Sequence, residues 1–258
     1  VTGTYDSPIN VELNLASGYE AACSCFLGRH FRGLTNGASP DWLQRRLTAI
    51  GLRSISALVD MTNYITYDLG RPLHVFDAGK VTGNIQARMA TAGETFQALD
   101  GKEYELDGEI TVIADQNAAE AIGGVMGGEA SGCTDETTEM FLEAALFDAH
   151  RTAATGRRLG IESDARYRFE RGVDPAMVQP GVEIATRMIL DMCGGETSHT
   201  VMAGTPVGPA KVVGFRPARV TELIGIDVNE AEQRKILSDL GFGIADGVDN
   251  WQVTAPTW

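Results

Sequence analysis

The sequence is short of cations, of paired cysteines and of long apolar runs, and each shortage removes a class of protein. Lys and Arg number 21 against 35 Asp and Glu, a net charge of −14 over 258 residues. A protein that coats duplex nucleic acid needs a basic surface, so generic duplex binding is excluded while a local contact is not. The four cysteines, Cys23, Cys25, Cys133 and Cys193, form neither a CxxC pair nor a zinc-ligand spacing. They read as buried free thiols of a reducing compartment, with Cys23 and Cys25 on one face of a strand because side chains alternate there. No stretch approaches the roughly 18 to 20 apolar residues of a spanning helix. No membrane partner is therefore expected, and a cytoplasmic location is. The start, Val1-Thr2-Gly3-Thr4-Tyr5-Asp6, has no signal-peptide pattern and no Met, and is expected to be the cut end of a longer chain. HExxH, GxSxG, GxxxxGK(S/T) and a strand-linked GxGxxG are all missing, so no metal or nucleotide is expected to bind by motif.

What is present describes an ordinary folded α+β chain, with 43% hydrophobic and 22% charged residues. Residues 9–14 and 21–32 read as strands. Ser39-Pro40-Asp41 opens a helix with Ser39 as cap and Pro40 in the first turn, and its stripe is Leu43, Leu47 and Ile50. A second helix is expected over 56–69, stopped by Gly70, and Leu73 to Asp77 follows as a short strand. From residue 84 the pattern is β: strands at 84–89 and 110–114, and a hairpin turning at Asp100-Gly101. Thr138 to Leu142 is strand-like, Asp148 caps a helix to about Leu159, and Asp174-Pro175 opens another to Met192. Two prolines and a glycine in residues 205–209 read as a linker. Beyond it, 216–223 looks helical, Asn229-Glu230-Ala231-Glu232 is a capping box, and a hairpin is expected around Asp246-Gly247.

Four features carry possible chemistry. Glu143 is a lone carboxylate in Phe141-Leu142-Glu143-Ala144-Ala145-Leu146. It reads either as an outward residue of an edge strand or as an inward one poised to accept a hydrogen bond from a ligand hydroxyl, since a buried carboxylate needs a partner. His74, between Leu73 and Val75-Phe76, reads as a core histidine or a functional one. Gly123-Gly124-Val125-Met126-Gly127-Gly128 is either a tight turn or a place where a ligand approaches the backbone. Between His150 and Gly172 six arginines meet three acids, which is either a local contact surface or a solvated face laced with salt bridges.

Several runs, taken together and in this order, carry a resemblance: Val59-Asp60-Met61-Thr62-Asn63-Tyr64, Leu69-Gly70-Arg71-Pro72-Leu73-His74-Val75-Phe76-Asp77, Gly124-Val125-Met126-Gly127-Gly128 and Arg168-Phe169-Glu170-Arg171-Gly172-Val173-Asp174. The chain resembles the beta subunit of bacterial phenylalanyl-tRNA synthetase. The resemblance implies that residues 1–205 form its editing module (the third and fourth domains), a mixed β-sheet with flanking helices. It implies that 206–258 begin the fifth, a small helical domain of DNA-binding-like fold, truncated here.

It also implies an activity with a clear physical motive. A hydrophobic pocket made for Phe discriminates against an added hydroxyl by only ~10². A second site that hydrogen-bonds the phenol reverses the preference by ~10⁴ to 10⁵, because Phe would leave polar groups unpaired. That site hydrolyses tyrosine esterified to tRNA(Phe). An activated ester needs positioned water and stabilised charge rather than a protein nucleophile. By the resemblance Glu143 recognises the tyrosine hydroxyl and His74 lies beside the substrate, these two forming the catalytic pair. Arg53 stands at the site's edge, Thr62 and Asn63 form a polar wall, Gly127 and Gly128 the close-approach loop, and Ser163 and Ala165 shape the pocket. The sequence departs from the family at Ala144, Glu162 and Arg166. The implied partners are the synthetase alpha subunit in a heterotetramer, the aminoacylated 3′ end of tRNA(Phe) and tyrosine. ATP and Mg2+ serve the whole synthetase, and this segment needs no cofactor. The alternative is a non-catalytic module that supports the assembly and positions tRNA.

Overall fold

The computed structural model describes residues 1–206, 208, 210–247 and 250–258; the linker expected at 205–209 and the turn expected around Asp246-Gly247 lie partly outside them. The chain divides into two compact units, Val1–Pro206 and Val207–Trp258.

The first unit opens with strands β1 (Val11–Asn14) and β2 (Cys23–Arg32) and helices α1 (Asp41–Ala49) and α2 (Ala57–Asp68). Strands β3 (His74–Asp77), β4 (Ile85–Met89), β5 (Thr95–Gln97), β6 (Glu103–Glu105), β7 (Thr111–Ala114), β8 (Ala119–Ile122), β9 (Met126–Gly127) and β10 (Glu139–Phe147) follow. Helices α3 (Ala149–Leu159), α4 (Asp164–Phe169) and α5 (Val178–Cys193) precede the short strands β11 (Glu196–Thr197) and β12 (Val201–Gly204).

Two sheets form. One runs β1-β4-β7-β8-β9, with β1 parallel to β4 and the other neighbours antiparallel. The other is antiparallel, ordered β11-β2-β10-β3, with β12 also on β2. Strand β10 is interior, and both its faces are buried. Met140, Leu142, Ala144 and Leu146 pack on Leu58, Met61 and Ile65 of α2 and on Val178, Val182, Ala185 and Ile189 of α5, whose spacing keeps them on one helical stripe. Phe141 and Ala145 turn the other way, against Phe26, Phe76, Ile85, Ala87 and Ile113. A strand buried on both faces reads as a continuous apolar run, which is why Glu143 stands out within it.

Local signals account for the helix ends. Asp148 accepts from the Arg151 amide at 2.8 Å to cap α3, and Gly160 closes it at φ +66°. Asp174 caps the 3-10 turn that leads into α5.

Several expectations need correction. Cys23 and Cys25 face opposite sides of the sheet: a bulge pairs Phe147 with Cys23 but Leu146 with Cys25, so Ser24 is the extra residue and alternation breaks. The four thiols are free, but Cys133 is only half-buried. Ser39 does not cap α1; Pro40 holds that place, and Ser39 Oγ donates to Asp60 at 2.6 Å. Ile50 is 51% exposed, so the α1 stripe is Leu43 and Leu47. Strand β9 lies within the glycine run, and strand β8 and helix α4 form where the residue pattern announced no element.

The second unit holds β13 (Val212–Phe215), α6 (Ala218–Ile224), α7 (Glu230–Asp239), β14 (Gly243–Ala245) and β15 (Trp251–Thr254). Asn229 accepts from the Glu232 amide at 2.9 Å to begin α7. The expectation of a helical domain is amended by an antiparallel sheet, β13-β15-β14, whose centre strand buries Trp251 and Val253.

Candidate active site

Register brings the two chief candidates together. Strand β3 pairs with β10 so that Glu143 stands opposite His74, Leu142 opposite Val75 and Phe141 opposite Phe76. Cross-strand partners share a face, so both Glu143 and His74 point to the side of the five-stranded sheet headed by β1. The outward, edge-strand alternative for Glu143 is thereby excluded: it is 6% exposed on an interior strand.

Both residues line one cavity of about 70 Å³, walled by Ile113, Ala121, Ile122, Val125, Phe147, Ala165 and Phe169. Beside it lies a cleft of about 400 Å³ that shares His74, Met126, Gly127 and Ala165 and adds Thr62, Asn63, Thr66, Cys133 and Ser163. Thus His74, Gly127 and Ala165 border both spaces, with Glu143 on the cavity and Thr62, Asn63 and Ser163 on the adjoining cleft. Arg53 is an exposed residue following α1 and lines neither space. Gly128 is displaced too, its amide bound to the Glu120 carbonyl and its Cα packed beside Phe96.

The glycine run is a tight turn between β8 and β9 that borders the cavity. Gly124 takes φ +70°, and the amides of Gly123, Val125 and Gly128 are spent on Thr111, Ile122 and Glu120 carbonyls. It therefore offers room rather than a cradle of N–H donors. At Gly127 a Cβ would sit 2.3 Å from His74 Cε1, so only glycine leaves the ring its seat. Ser163 accepts from the Arg166 amide to start α4 and donates to the Val125 carbonyl, tying that helix to the turn.

The electrostatics are those of a dry pocket. Burial pushes the Glu143 carboxyl up to about 8, opposed by the Arg71 guanidinium. Burial lowers His74 to about 4, so its ring is neutral at neutral pH. Glu143 Oε2 and His74 Nε2 are buried without a partner. The ring of His74 meets Phe76 edge-on at 4.5 Å.

The surrounding hydroxyls are occupied. Thr62 donates to the Val59 carbonyl, Thr66 to Thr62 and Ser163 to Val125. The Cys133 thiol is pushed up to about 12 by burial, which keeps it protonated. No activated nucleophile faces His74 among the described residues, nor does any cluster of His, Cys, Asp or Glu suited to a metal. The arrangement leaves an unpaired carboxyl and an unpaired ring nitrogen free to take hydrogen bonds in the cavity.

Arg71 belongs to no motif that marks it as functional. It is wholly buried next to the site, and the signal for it was a charged residue leading straight into the apolar run of β3. Five of the six arginines of the segment are in salt bridges, Arg166–Glu170, Arg168–Asp164 and Arg171–Glu170 within it and Arg151–Glu109 and Arg158–Asp107 outside it, which supports the salt-bridged-face reading.

Residues 22–194 match the B3/4 domain, a range that holds β3, β10 and the glycine turn around the cavity. The chain belongs to the B3/4 domain family. Residues 213–258 match the tRNA synthetase B5 domain. Over its whole length the chain is 57% identical to the phenylalanine–tRNA ligase beta subunit of Paramagnetospirillum magneticum and covers 32% of that protein. The beta subunit of Cereibacter sphaeroides is 54% identical over 94% of this chain and 30% of its own length. That of Rhodospirillum rubrum is 52% identical over 100% of this chain and 32% of its own. The chain therefore spans about a third of the length of these relatives. An N-terminal fragment of the phenylalanyl-tRNA synthetase beta-subunit from Pyrococcus horikoshii overlays it with a TM-score of 0.49 at 13% identity, covering 100% of this chain and 71% of that one. No helix among the described residues is long and apolar enough to cross a membrane.

Proposed function

We propose that the cavity between β3, β10 and the glycine turn edits tRNA(Phe) by hydrolysing tyrosine esterified to its 3′ end. Supporting this above all is Glu143 Oε2, a buried carboxyl atom with no partner, in a wall that apart from His74 is apolar or glycine. An apolar wall receives an aromatic ring, and a single unpaired carboxyl rewards a hydroxyl on it. Phenylalanine would leave that carboxyl unpaired, so the site favours the amino acid that a synthetic pocket for Phe admits by mistake. His74, neutral and unpartnered, offers a ring nitrogen to orient the attacking water. Thr62, Asn63, Ser163 and Ala165 flank the cleft through which the 3′ adenosine would enter, and Gly127 leaves it room. Arg53, exposed and off the cavity, fits a contact with the arriving tRNA rather than with tyrosine.

In this reading residues 1–205 are the third and fourth domains of a phenylalanine–tRNA ligase beta subunit, and 206–258 begin the fifth, of DNA-binding-like fold. The whole enzyme would join an alpha subunit, use ATP and Mg2+ elsewhere, and act in the cytoplasm. The test is hydrolysis of tyrosyl-tRNA(Phe) and phenylalanyl-tRNA(Phe) by the full-length protein carrying this segment. Glu143→Ala should erase the preference for the tyrosyl ester. Equal, Glu143-independent rates, or no hydrolysis with charging intact, would leave a module that only positions tRNA.

A further inference from the structure

Arg71 is a fully buried cation at the entry to β3, 0% exposed. The β3 ladder on β10 ends at the Glu143–His74 pair, and Arg71 Nη2 donates to the Ala145 carbonyl, two residues farther along β10. Its stem packs on α5 at Gly181, where a Cβ would come within 3.0 Å of Arg71 Cγ. Its guanidinium lies 5.6 Å from the Phe169 ring centroid. Nε and Nη1 are buried without partners, as is Glu143 Oε2. An unpaired buried cation is costly, so its retention beside an unpaired buried carboxyl calls for a coupled role.

We propose that Arg71 is the positioning residue of this site, anchoring β10 behind Glu143 and setting the charge state of that carboxyl. The inference rests on the editing reading, since it says at what pH the site prefers a phenol. Other groups facing Glu143 supply no charge. Cys23 on β2 is a thiol held protonated by burial, His74 on β3 is neutral, and β7, β8 and α4 present Ile113, Ala121 and Ala165. Asp174 faces Arg71 rather than Glu143. Among the described residues Arg71 is thus the cation that acts on Glu143. It lowers the pH at which the carboxyl ionises and becomes a pure acceptor for the phenol.

The test uses the full-length protein with Arg71→Met and Arg71→Lys. Hydrolysis of tyrosyl and phenylalanyl esters is followed from about pH 5.5 to about pH 9.5, a span that brackets the titration of a buried carboxyl. Arg71→Met should move the rise in tyrosyl preference upward by about one pH unit or more, and Arg71→Lys should restore it toward wild type. A folded Arg71→Met protein with an unshifted profile overturns the proposal. Because the Met variant also frees the Ala145 carbonyl, thermal unfolding of a double-mutant cycle with Glu143→Gln gives a second reading. With Glu143 present, Arg71→Met should cost more at about pH 9 than at about pH 7, because only the ionised carboxyl is left without its cation. In the Glu143→Gln background, where no carboxyl can ionise, the cost should be the same at both. Equal cost in both backgrounds overturns the proposal. If the wild type hydrolyses neither ester, the editing reading falls and the cycle alone decides the role of Arg71.

Discussion

Glu143 and His74 face each other across the β3–β10 ladder, and each turns a buried, unpartnered polar atom to the same cavity. Their titrations shift in opposite directions, which gives stability a pH dependence with two limbs. Glu143 is raised from 4.5 to about 8, so between those values the folded state holds a proton that the unfolded chain has lost. Stability therefore falls as pH rises through that window. His74 is lowered from 6.5 to about 4, so the unfolded chain holds the extra proton there and stability rises with pH. The two effects offset each other between about pH 4.5 and 6.5, and Glu143 prevails between 6.5 and 8. Glu143→Gln should abolish the loss of stability across that upper window, a slope of at most about 1.4 kcal/mol per pH unit. Chemical denaturation across that range checks it; an undiminished slope in the variant counts against a buried, protonated Glu143.

The same carboxyl sets the expected size of the selectivity effect. Above about pH 8, where the carboxyl is ionised, a hydrogen bond with a charged partner is worth about 1.5–3 kcal/mol, so Glu143→Ala should there cut kcat/KM for the tyrosyl ester on the order of 10- to 100-fold, and by less at neutral pH. The phenylalanyl ester, which makes no such bond, should change little. Parallel losses for both esters would point to a collapsed pocket instead.

Much of this site could be read from residue order, and what could not was long-range. Asp148, Gly160 and Asn229 announce helix ends because a cap acts within its own turn. The facing of Glu143 depends on β3, a strand far away along the chain, so residue pattern alone left it open between edge and interior. Cys23 and Cys25 misled for a related reason: a bulge is set by the partner strand, not by alternation. Strands β8 and β9 are too short and glycine-bound to show a period, yet they wall the cavity. Arg53 and Gly128 came from resemblance, and the packing around them puts neither on the hollow.

Asp60 extends the argument to the helix that carries Thr62, Asn63 and Thr66. It is fully buried and accepts from Ser39 Oγ at 2.6 Å, from the Ile55 amide at 2.9 Å and from Ser54 Oγ. These bonds lock the segment before α2, and with it the cleft wall. Asp60→Ala leaves all of these donors unpaired, at a cost of about 3 kcal/mol or more. Equilibrium unfolding in urea should show that loss as a lower midpoint, with Asp60→Asn intermediate. A variant within about 0.5 kcal/mol of wild type would mean the donors find water instead.

Gly127 offers the sharpest separation of pocket from scaffold. Its missing Cβ leaves room for the His74 ring, 2.3 Å from Cε1 and 2.8 Å from Nε2. With Ala in that place the ring must swing, and the open side available to it is the cavity itself, where the tyrosine would lie. Overpacking of this kind costs about 1–3 kcal/mol, which leaves the fold standing. Gly127→Ala should therefore lower tyrosyl-ester hydrolysis by at least about tenfold while far-UV circular dichroism and the unfolding midpoint change only modestly. Gly28 provides the contrast: a Cβ there would meet the Phe141 ring at 2.0 Å within the core, with no cavity to yield into. Gly28→Ala should unfold the module before it reveals anything about hydrolysis. If Gly127→Ala instead lost stability as severely as Gly28→Ala, or kept full hydrolysis, the seat of His74 would not be the mouth of the site.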